Sequence, residues 1–510
     1  MSEETDLSPL LSSYYTIPII AIVLSAFISW LWKKSSNQNS FVCNIPWAKG
    51  GVPLLGHALA YTRDPPSFIC KQEKTLGPIF RINLAGRIMI VIGSSPEAMR
   101  HVATLPSSVM SSEKAIAELG FEYTLGKTNV FKGTAWHKRI LKDEIMSVSK
   151  FESTFLPNAR AEISRSLHKE IKRYESQSHE RTVFIPDLFT FVRRCILRAM
   201  MNQLVGLSID DNDEEEILLD EIMKFQDCVE DATAKAAVMS KLLARPLVLR
   251  PVEKKRQKLE VLIAAYIEAV WNKNPKREMM GPWLQTFYDE KISSQEAATL
   301  VIGLMFAAHK NPAIGAAQSF CYLHSEGSKS DLNQAQLEAR KFLQHSDCSI
   351  ATLLQAKTLR CYILETLRVT SHTLGGVRKA CEDVVVRNGS GEYMIPKGST
   401  VVISHIAPHR NFDIWKGSKC AEDFDPHRIE WNKSSPTTTI GNPVDNYKMT
   451  AFSHGINKCP GEKLALSLIQ IVFALLIDKK VAIVGTVPDV SFERATLAQR
   501  SNKVPVKIIL

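Results

Sequence analysis

The sequence predicts a mainly α-helical protein with small β-sheets, in the α+β class. Long apolar patterns with helical spacing cover residues 464–476 and 297–320. Two short runs rich in β-branched and aromatic residues, at 80–84 and 88–92, predict a pair of strands around the turn at 85–87. The helical patterns are much longer than the strand patterns, so helices should dominate the fold.

The composition of the 510 residues is that of a globular protein. Hydrophobic residues make up 45% and charged residues 23%, and no linker divides the chain. The ten cysteines are scattered without a C-x-x-C pair, which excludes a disulfide framework or zinc site and suits a reducing compartment. The formal charge of +10 comes without a nucleic-acid motif. We therefore expect no nucleic acid, and expect instead membrane lipid or an acidic redox partner, with a solvated basic surface as the alternative.

The N-terminus predicts a membrane anchor. Residues 14–32 are almost wholly apolar, with aromatic residues at both ends, and they have the length that a membrane-spanning helix needs. Acidic residues precede this stretch and Lys33 and Lys34 follow it, which places the rest of the chain in the cytosol. The acidic start and the lack of an A-x-A site argue against a cleaved signal peptide. We expect an anchor at 1–34, a proline-rich hinge at 35–56 and one domain at 57–510.

The region around Cys459 carries the main functional signal. Phe452, Gly455, Cys459 and Gly461 give the spacing F-x-x-G-x-x-x-C-x-G, and an apolar helical pattern follows. Cys459 should lie where a loop enters a helix, and a helix N-terminus stabilises a thiolate through its dipole and free N–H groups. The two glycines leave room for a flat cofactor near the backbone. For a single cysteine the alternative is a buried, unreactive side chain.

This loop resembles the haem-binding loop of the haem-thiolate monooxygenases, the cytochrome P-450 superfamily. The resemblance implies the cytochrome P-450 fold, with one large haem domain behind an N-terminal transmembrane helix. It also implies haem b as the cofactor and Cys459 as the axial ligand of its iron. The sequence is most similar to microsomal, fungal-type members and distantly to the sterol 14-alpha-demethylases.

Two further motifs of the family precede the cysteine loop. Glu365 and Arg368 form E-x-x-R, which places both charges on one helix face, and the segment 424–428 forms F-x-P-x-R and ends at Arg428. In the family the second arginine joins the first pair. The resemblance therefore implies a buried, fully hydrogen-bonded cluster that locks the fold around the haem.

The resemblance also assigns residues to the haem propionates. Arg378 matches a family arginine that binds one propionate. A helix with the pattern W-x-x-x-R supplies further contacts in the family, but here Arg139 follows Trp136 one residue early and Ile140 holds the expected place. The role therefore falls on Trp136 with Lys138 or Arg139, and a solvated basic helix face is the alternative.

The predicted central helix departs from the family pattern. Where the family has A-G-x-[D/E]-T or A-G-x-H-T, this chain has Ala308 for the glycine, Lys310 for the acid or histidine and Asn311 for the threonine. Pro312 removes the N–H that would bond to the Ala308 carbonyl, which predicts a kink. Asn311 can donate a hydrogen bond, and Lys310 or His309 could supply protons, so these three are the expected catalytic residues.

By resemblance, the protein is expected to be a monooxygenase that hydroxylates or demethylates a hydrophobic steroid- or triterpenoid-like substrate in terpenoid or secondary metabolism. Electrons would come from NADPH through NADPH–cytochrome P-450 reductase, with a cytochrome b-type protein as a further donor. The enzyme would be single-pass in the endoplasmic reticulum membrane with a cytosolic catalytic domain.

Substrate contacts are expected at residues 121–125, 305–309, 373–376 and 495–498. The alternative is a haem-thiolate protein that catalyses a non-oxygenating reaction, such as an isomerase or dehydratase, or only binds a ligand.

Overall fold

The computed structural model describes most of the chain after residue 43. The described residues are 44–141, 147, 150–175, 182–206, 213–237, 239, 241–273, 280–345, 348–389, 391–416, 419–428, 447–493 and 497–509. The predicted anchor and the first part of the predicted hinge lie outside them, as do residues 495 and 496. Among the described residues, no helix combines the length and the apolar character needed to span a membrane.

Helices make up most of the described chain. The α-helices are Ala58–Arg63, Pro65–Leu76, Pro96–Thr104, Ser112–Glu118, Phe121–Thr124, Thr134–Ile140, Leu156–Glu175, Leu188–Met200, Asp213–Ala237, Lys241–Ala244, Arg250–Lys273, Pro282–Asp289, Ser294–Ala308, Lys310–Ser325, Lys329–Gln344, Ile350–Gln355, Lys357–Thr370, Ile406–Arg410 and Glu462–Asp478. Short π-helical turns are Asn129–Gly133, Phe151–Phe155, Met201–Val205 and Arg245–Leu249, and short 3₁₀ turns are Pro426–Arg428 and Gly455–Asn457.

Four small sheets complete the fold and confirm the predicted mainly α class with small β-sheets. The strands are β1 Ile79–Leu84, β2 Arg87–Ile92, β3 Met110–Ser111, β4 Thr182–Ile185, β5 Gly376–Ala380, β6 Val384–Asn388, β7 Gly391–Ile395, β8 Thr400–Ile403, β9 Ala482–Ile483, β10 Val490–Ser491, β11 Gln499–Arg500 and β12 Val506–Ile509. The largest sheet has the order β1-β2-β8-β5-β3, with β2 and β8 parallel and its other neighbours antiparallel. The two strands predicted near residues 80 and 88 are β1 and β2, and each begins one residue earlier than predicted.

The described part of the predicted hinge packs onto this sheet. The Arg81 N–H donates to the Pro46 carbonyl at 2.8 Å, and the Ala48 N–H donates to the Arg81 carbonyl at 2.8 Å. Ile45 is almost fully buried. The packed structure therefore includes residues that the sequence assigned to the hinge.

Two apolar helices in the main core position the functional region. Helix Glu462–Asp478 is buried on nearly every face, which agrees with its continuous apolar sequence, and it packs against helices Lys310–Ser325 and Lys357–Thr370. The loop that carries Cys459 leads directly into this helix. The core thus holds the cysteine loop close to the N-terminal end of Lys310–Ser325.

The long central helix is interrupted at His309, where the sequence predicted a kink. Helix Ser294–Ala308 ends there, and Lys310–Ser325 begins at the next residue. Pro312 lies in the first turn of the second helix. The N–H groups of a first turn have no carbonyl partner within the helix, so the missing N–H of a proline destabilises the helix little at this position. The interruption therefore follows from the proline, and the Ala308 carbonyl loses its usual N–H donor.

Candidate functional site

A cavity of about 530 Å³ lies between the cysteine loop and the interruption of the central helix. Its walls come from five regions of the chain that are distant in sequence. They are Phe121, His137 and Leu141; Glu230 and Thr233; Leu304, Phe306, Ala307, Ala308, Asn311 and Pro312; Leu367, Ser371, His372, Thr373 and His405; and Ala451, Phe452, Ser453, Asn457, Cys459, Pro460, Gly461, Leu464, Ala465, Ile469 and Leu497. Most of these side chains are apolar, so the cavity suits a hydrophobic ligand.

Cys459 borders this cavity just before the helix that starts at Glu462. Its N–H donates to the Phe452 carbonyl at 2.8 Å, which fixes the loop. Burial raises the pKa of the Cys459 thiol, and a hydrogen bond from the Gly461 backbone opposes that rise. The protein alone therefore does not favour a thiolate here, and a bound metal cation would supply the missing stabilisation.

The two glycines of the loop have different structural roles. A Cβ added to Gly461 would meet no atom within 4 Å, and this residue borders the cavity. Gly455 does not border the cavity; it has φ +69°, and an added Cβ would lie 2.1 Å from the Ala103 carbonyl oxygen. Gly461 thus leaves space for a cofactor, as the sequence suggested for both, whereas Gly455 permits a left-handed turn packed against helix Pro96–Thr104.

The structure brings Glu365, Arg368 and Arg428 together in a fully buried cluster. Arg368 binds the Glu365 carboxylate through two hydrogen bonds of 2.6 and 2.7 Å, and Arg428 Nε lies 3.7 Å from Glu365 Oε1. The Asp425 N–H donates to the same oxygen at 2.9 Å. Arg368 also donates to the backbone carbonyls of residues 409, 421 and 423. The cluster therefore joins helix Lys357–Thr370 to the segment that precedes the cysteine loop.

Arg378 is a buried cation beside the cavity. Its guanidinium donates to the Val377 carbonyl at 2.8 Å, and burial lowers its pKa. Among the described residues no carboxylate forms an ion pair with it. The Asn457 amide, in the orientation that satisfies both of its neighbours, accepts from Arg378 at 3.3 Å, and Asn457 borders the cavity. A buried guanidinium without a carboxylate partner suits an anionic group of a ligand.

The residues expected from the W-x-x-x-R pattern do not border the cavity. Trp136 packs edge-to-face on Phe287 with ring centroids 5.9 Å apart, and Arg139 stacks over Trp136 and forms an ion pair with Glu290 on the surface. Lys138 is also exposed and donates to the Ile456 carbonyl. The helix is rotated by one residue relative to the expected arrangement, so a different residue faces the cavity.

That residue is His137, which the sequence pattern did not single out. His137 and Leu141, four residues apart on one helix face, both border the cavity. Burial lowers the pKa of His137 to about 4, opposed by a hydrogen bond to the Leu300 backbone, and its Nε2 has no hydrogen-bond partner in the described part of the chain. An anionic group at Nε2 would raise this pKa and bind the protonated ring.

The two residues expected to supply protons are bound to other partners and do not border the cavity. His309 Nδ1 lies 2.6 Å from the Met305 carbonyl, and burial and nearby cations keep the pKa of His309 well below its usual value. Lys310 Nζ lies 2.7 Å from Asp227 and 2.5 Å from Glu230. Gln226 Nε2 also lies 3.2 Å from His309 Nδ1, so both side chains contact helix Asp213–Ala237, and we assign neither of them proton transfer.

Of the three expected catalytic residues, Asn311 alone borders the cavity. Residues from each expected substrate-contact region also do so: Phe121, Phe306, Ala307, Ala308, Thr373 and Leu497. Glu230 and Thr233 were missed because a glutamate or threonine on an amphipathic helix is usually solvated, and nothing in the sequence marks these two as buried. The sequence thus indicated the parts of the wall formed by the cysteine loop and the central helix, but not the part formed by helix Asp213–Ala237.

The cavity fits a haem on three independent observations. A cysteine sulfur borders it, Gly461 faces open space, and two basic side chains at its edge suit an anion: His137 Nε2 has no hydrogen-bond partner among the described residues, and Arg378, next to the wall residue Asn457, forms no ion pair among them. A planar iron porphyrin needs a thiolate or other axial ligand, close approach to the backbone and partners for its two carboxylates. The side chains present supply all three.

Comparison with known proteins gives the family. Residues 46–499 match the family model described as cytochrome P-450. The chain is 25% identical to abscisic acid 8'-hydroxylase 1 of Oryza sativa subsp. japonica, covering 88% of this chain and 87% of that protein. It is 23% identical to beta-amyrin 24-hydroxylase of Glycine max, covering 84% of each chain. It is 22% identical to lanosterol 14-alpha demethylase of Eremothecium gossypii, covering 91% of this chain and 87% of the relative. With a family match across nearly the whole described chain and a cavity that fits a haem, this protein belongs to the cytochrome P-450 family and is a haem-dependent monooxygenase.

Proposed function

We propose that the chain hydroxylates or demethylates a hydrophobic terpenoid, of the steroid or triterpenoid class, in the biosynthesis of a terpenoid or secondary metabolite. One observation carries this proposal: a largely apolar cavity lies between Cys459 and the interrupted central helix. The names of the relatives, which act on abscisic acid, beta-amyrin and lanosterol, support the terpenoid class. Haem b is the proposed form of the cofactor, and NADPH–cytochrome P-450 reductase, with a cytochrome b-type protein as a further donor, is the proposed electron source.

In this proposal the Cys459 sulfur would hold the haem iron. Phe452 and Gly461 border the haem, and Gly455 shapes the loop that presents the cysteine. Arg378 would bind one propionate, as the resemblance implies, and His137 would bind a propionate in place of Trp136 and Arg139. The buried cluster of Glu365, Arg368 and Arg428 holds the segment before the loop in register with helix Lys357–Thr370.

Asn311 and the Ala308 carbonyl are the proposed groups that position water for proton delivery. The bound haem supplies the activation of dioxygen and the oxidation of the substrate. Asn311 is exposed to the cavity, and Pro312 leaves the Ala308 carbonyl without its usual N–H donor. A water held between these two groups would replace the missing hydroxyl of the family threonine, since an amide can both donate and accept hydrogen bonds.

Replacing Asn311 with alanine should therefore lower product yield and raise the hydrogen peroxide released per NADPH consumed. The loss of a positioned proton donor typically costs about 10²–10⁴ in rate, and we expect a value near the lower end because water remains. Asn311→Thr should retain coupling, since it restores a hydroxyl. Product yield and peroxide release measured side by side check this, and unchanged values in Asn311→Ala would remove the residue from the relay.

Reconstitution tests the proposed function directly. The full chain loaded with haem b, combined with the reductase and NADPH, should consume NADPH and form oxygenated product with at least one member of a steroid and triterpene panel. Binding of the same panel is followed independently by the shift of the haem absorption band. Tight binding without substrate-dependent NADPH consumption would contradict oxidation and favour an isomerase or dehydratase.

We further propose that residues 1–34 anchor the protein in the endoplasmic reticulum membrane as a single-pass protein, with the domain at 57–510 in the cytosol and a short hinge between. The apolar stretch at 14–32 and the lysines that follow it support this orientation. Membrane lipid is accordingly a proposed partner. Protection of the catalytic domain from protease inside sealed microsomes would contradict this topology.

A further inference from the structure

Glu230 places a buried carboxylate in the wall of an otherwise largely apolar cavity. The residue is 3% exposed and lies on helix Asp213–Ala237. Its Oε2 accepts a hydrogen bond of 2.5 Å from Lys310 Nζ, whereas its Oε1 is buried and has no hydrogen-bond partner among the described residues. Buried polar atoms in folded proteins nearly always have a partner, so an orphaned oxygen at a cavity wall points to a partner supplied by a ligand.

Three other polar side chains of the wall, unlike the His137 ring, are bonded within the protein. Ser371 Oγ donates to the Leu367 carbonyl at 2.7 Å, and His405 Nδ1 lies 3.0 Å from Thr450 Oγ1. Thr233, three residues after Glu230 on the same helix face, donates to the Val229 carbonyl at 2.8 Å. Glu230 is thus distinguished on this side of the cavity by an oxygen that is both buried and unbonded.

The ion pair determines which chemistry Glu230 offers. Burial raises the pKa of Glu230, and the Lys310 ammonium opposes that rise. In the carboxylate form that the ammonium favours, Oε1 can only accept hydrogen bonds. Lys310 is itself held between Glu230 and Asp227 and does not border the cavity, so it does not reach a ligand there. Recognition of a donor on the ligand is therefore favoured over proton transfer.

We propose that Glu230 Oε1 accepts a hydrogen bond from a hydroxyl group of the substrate, so that the cavity selects an alcohol over the ketone or ether of the same scaffold. The identity of the scaffold rests on the terpenoid oxidation proposed above, whereas the preference for an alcohol over a ketone does not. A reaction that leaves a hydroxyl group, such as hydration, epoxide opening or an earlier hydroxylation, must then precede this enzyme.

Binding measurements with matched ligands test the proposal. Calorimetry on the haem-loaded full chain compares the alcohol, ketone and methyl ether of lanosterol, and separately 2-adamantanol, 2-adamantanone and 2-methoxyadamantane. A hydrogen bond to a charged acceptor corresponds to a preference of about tenfold or more, so the wild type should bind each alcohol at least about tenfold more tightly than its ketone. In Glu230→Gln the amide oxygen can accept from Lys310 while its NH₂ group faces the cavity, so the preference should shift to the ketone.

Two further variants separate recognition from structural damage. Glu230→Asp keeps an acceptor and should retain an alcohol preference. Thr233→Val, on the same wall, should keep the full preference because its hydroxyl already donates to its own helix. An equal alcohol preference in the wild type and Glu230→Gln, or none in the wild type, would overturn the proposal. A preference for the alcohol among the adamantane ligands, with no binding of lanosterol, would support the proposed hydrogen bond to Glu230 and contradict the steroid-like substrate class.

Discussion

Cys459→Ala is expected to abolish the thiolate signature in the spectrum of the reduced, carbon-monoxide-bound protein and to eliminate turnover. Cys459 borders the cavity, and no other cysteine in the described part of the chain does so. Because burial raises the pKa of this thiol, the thiolate depends on the iron, and the iron in turn loses its proposed axial ligand when the sulfur is removed. Residual haem binding through Arg378 and His137 remains compatible with this result.

A second cysteine variant provides the control. Cys420 is exposed and does not border the cavity, so Cys420→Ala should keep both the spectrum and the activity of the wild type. Haem content is measured in both proteins, so that loss of the signature is separated from loss of the cofactor. An unaltered thiolate spectrum in Cys459→Ala would rule out this residue as the ligand.

Glu365→Ala should destabilise the protein by about 3–5 kcal/mol, the usual effect of removing one partner from a buried ion pair. The substitution leaves Arg368 and Arg428 as buried cations without their shared carboxylate. It also removes the acceptor of the Asp425 N–H, so the segment before the cysteine loop should loosen. Denaturant midpoints and haem retention after partial unfolding measure both effects.

An exposed ion pair supplies the matched comparison. Arg387 and Glu392 form a 2.9 Å pair on the β6–β7 hairpin, with both side chains more than half exposed. Exposed pairs typically contribute about 0–1 kcal/mol, so Glu392→Ala should leave the midpoint almost unchanged. Equal midpoints for Glu365→Ala and Glu392→Ala would contradict a structural role for the buried cluster.

The parts of the molecule that follow from local pattern were predictable from the sequence. Strands β1 and β2 and the interruption near Pro312 depend on residue types within a few positions, and the structure has each of them within a few residues of its predicted place. The spacing around Cys459 likewise depends on neighbours in the chain. In these regions the local structure follows from the local sequence, because no contact with a distant residue is needed to determine it.

The parts that depend on the rotation of a helix or on distant contacts were not predictable. A pattern places Trp136 and Ile140 on one face of a helix, but packing of Trp136 on Phe287 turns His137 toward the cavity instead. The partners of Lys310 lie about eighty residues earlier in the chain, and no periodicity connects them to it. Both errors concern which side of a correctly predicted helix faces the site.

The ion pairs of Lys310 also constrain how this region can change by mutation. An acidic residue at position 310, as in many members of the family, would place three carboxylates together where Asp227 and Glu230 now share one ammonium. Like charges beside the buried Glu230 are strongly unfavourable, whereas the partly exposed Asp227 also pairs with Arg193, so that substitution should be tolerated only after position 230 has changed. Positions 230 and 310 therefore form one epistatic unit, and the order in which their mutations accumulate is restricted.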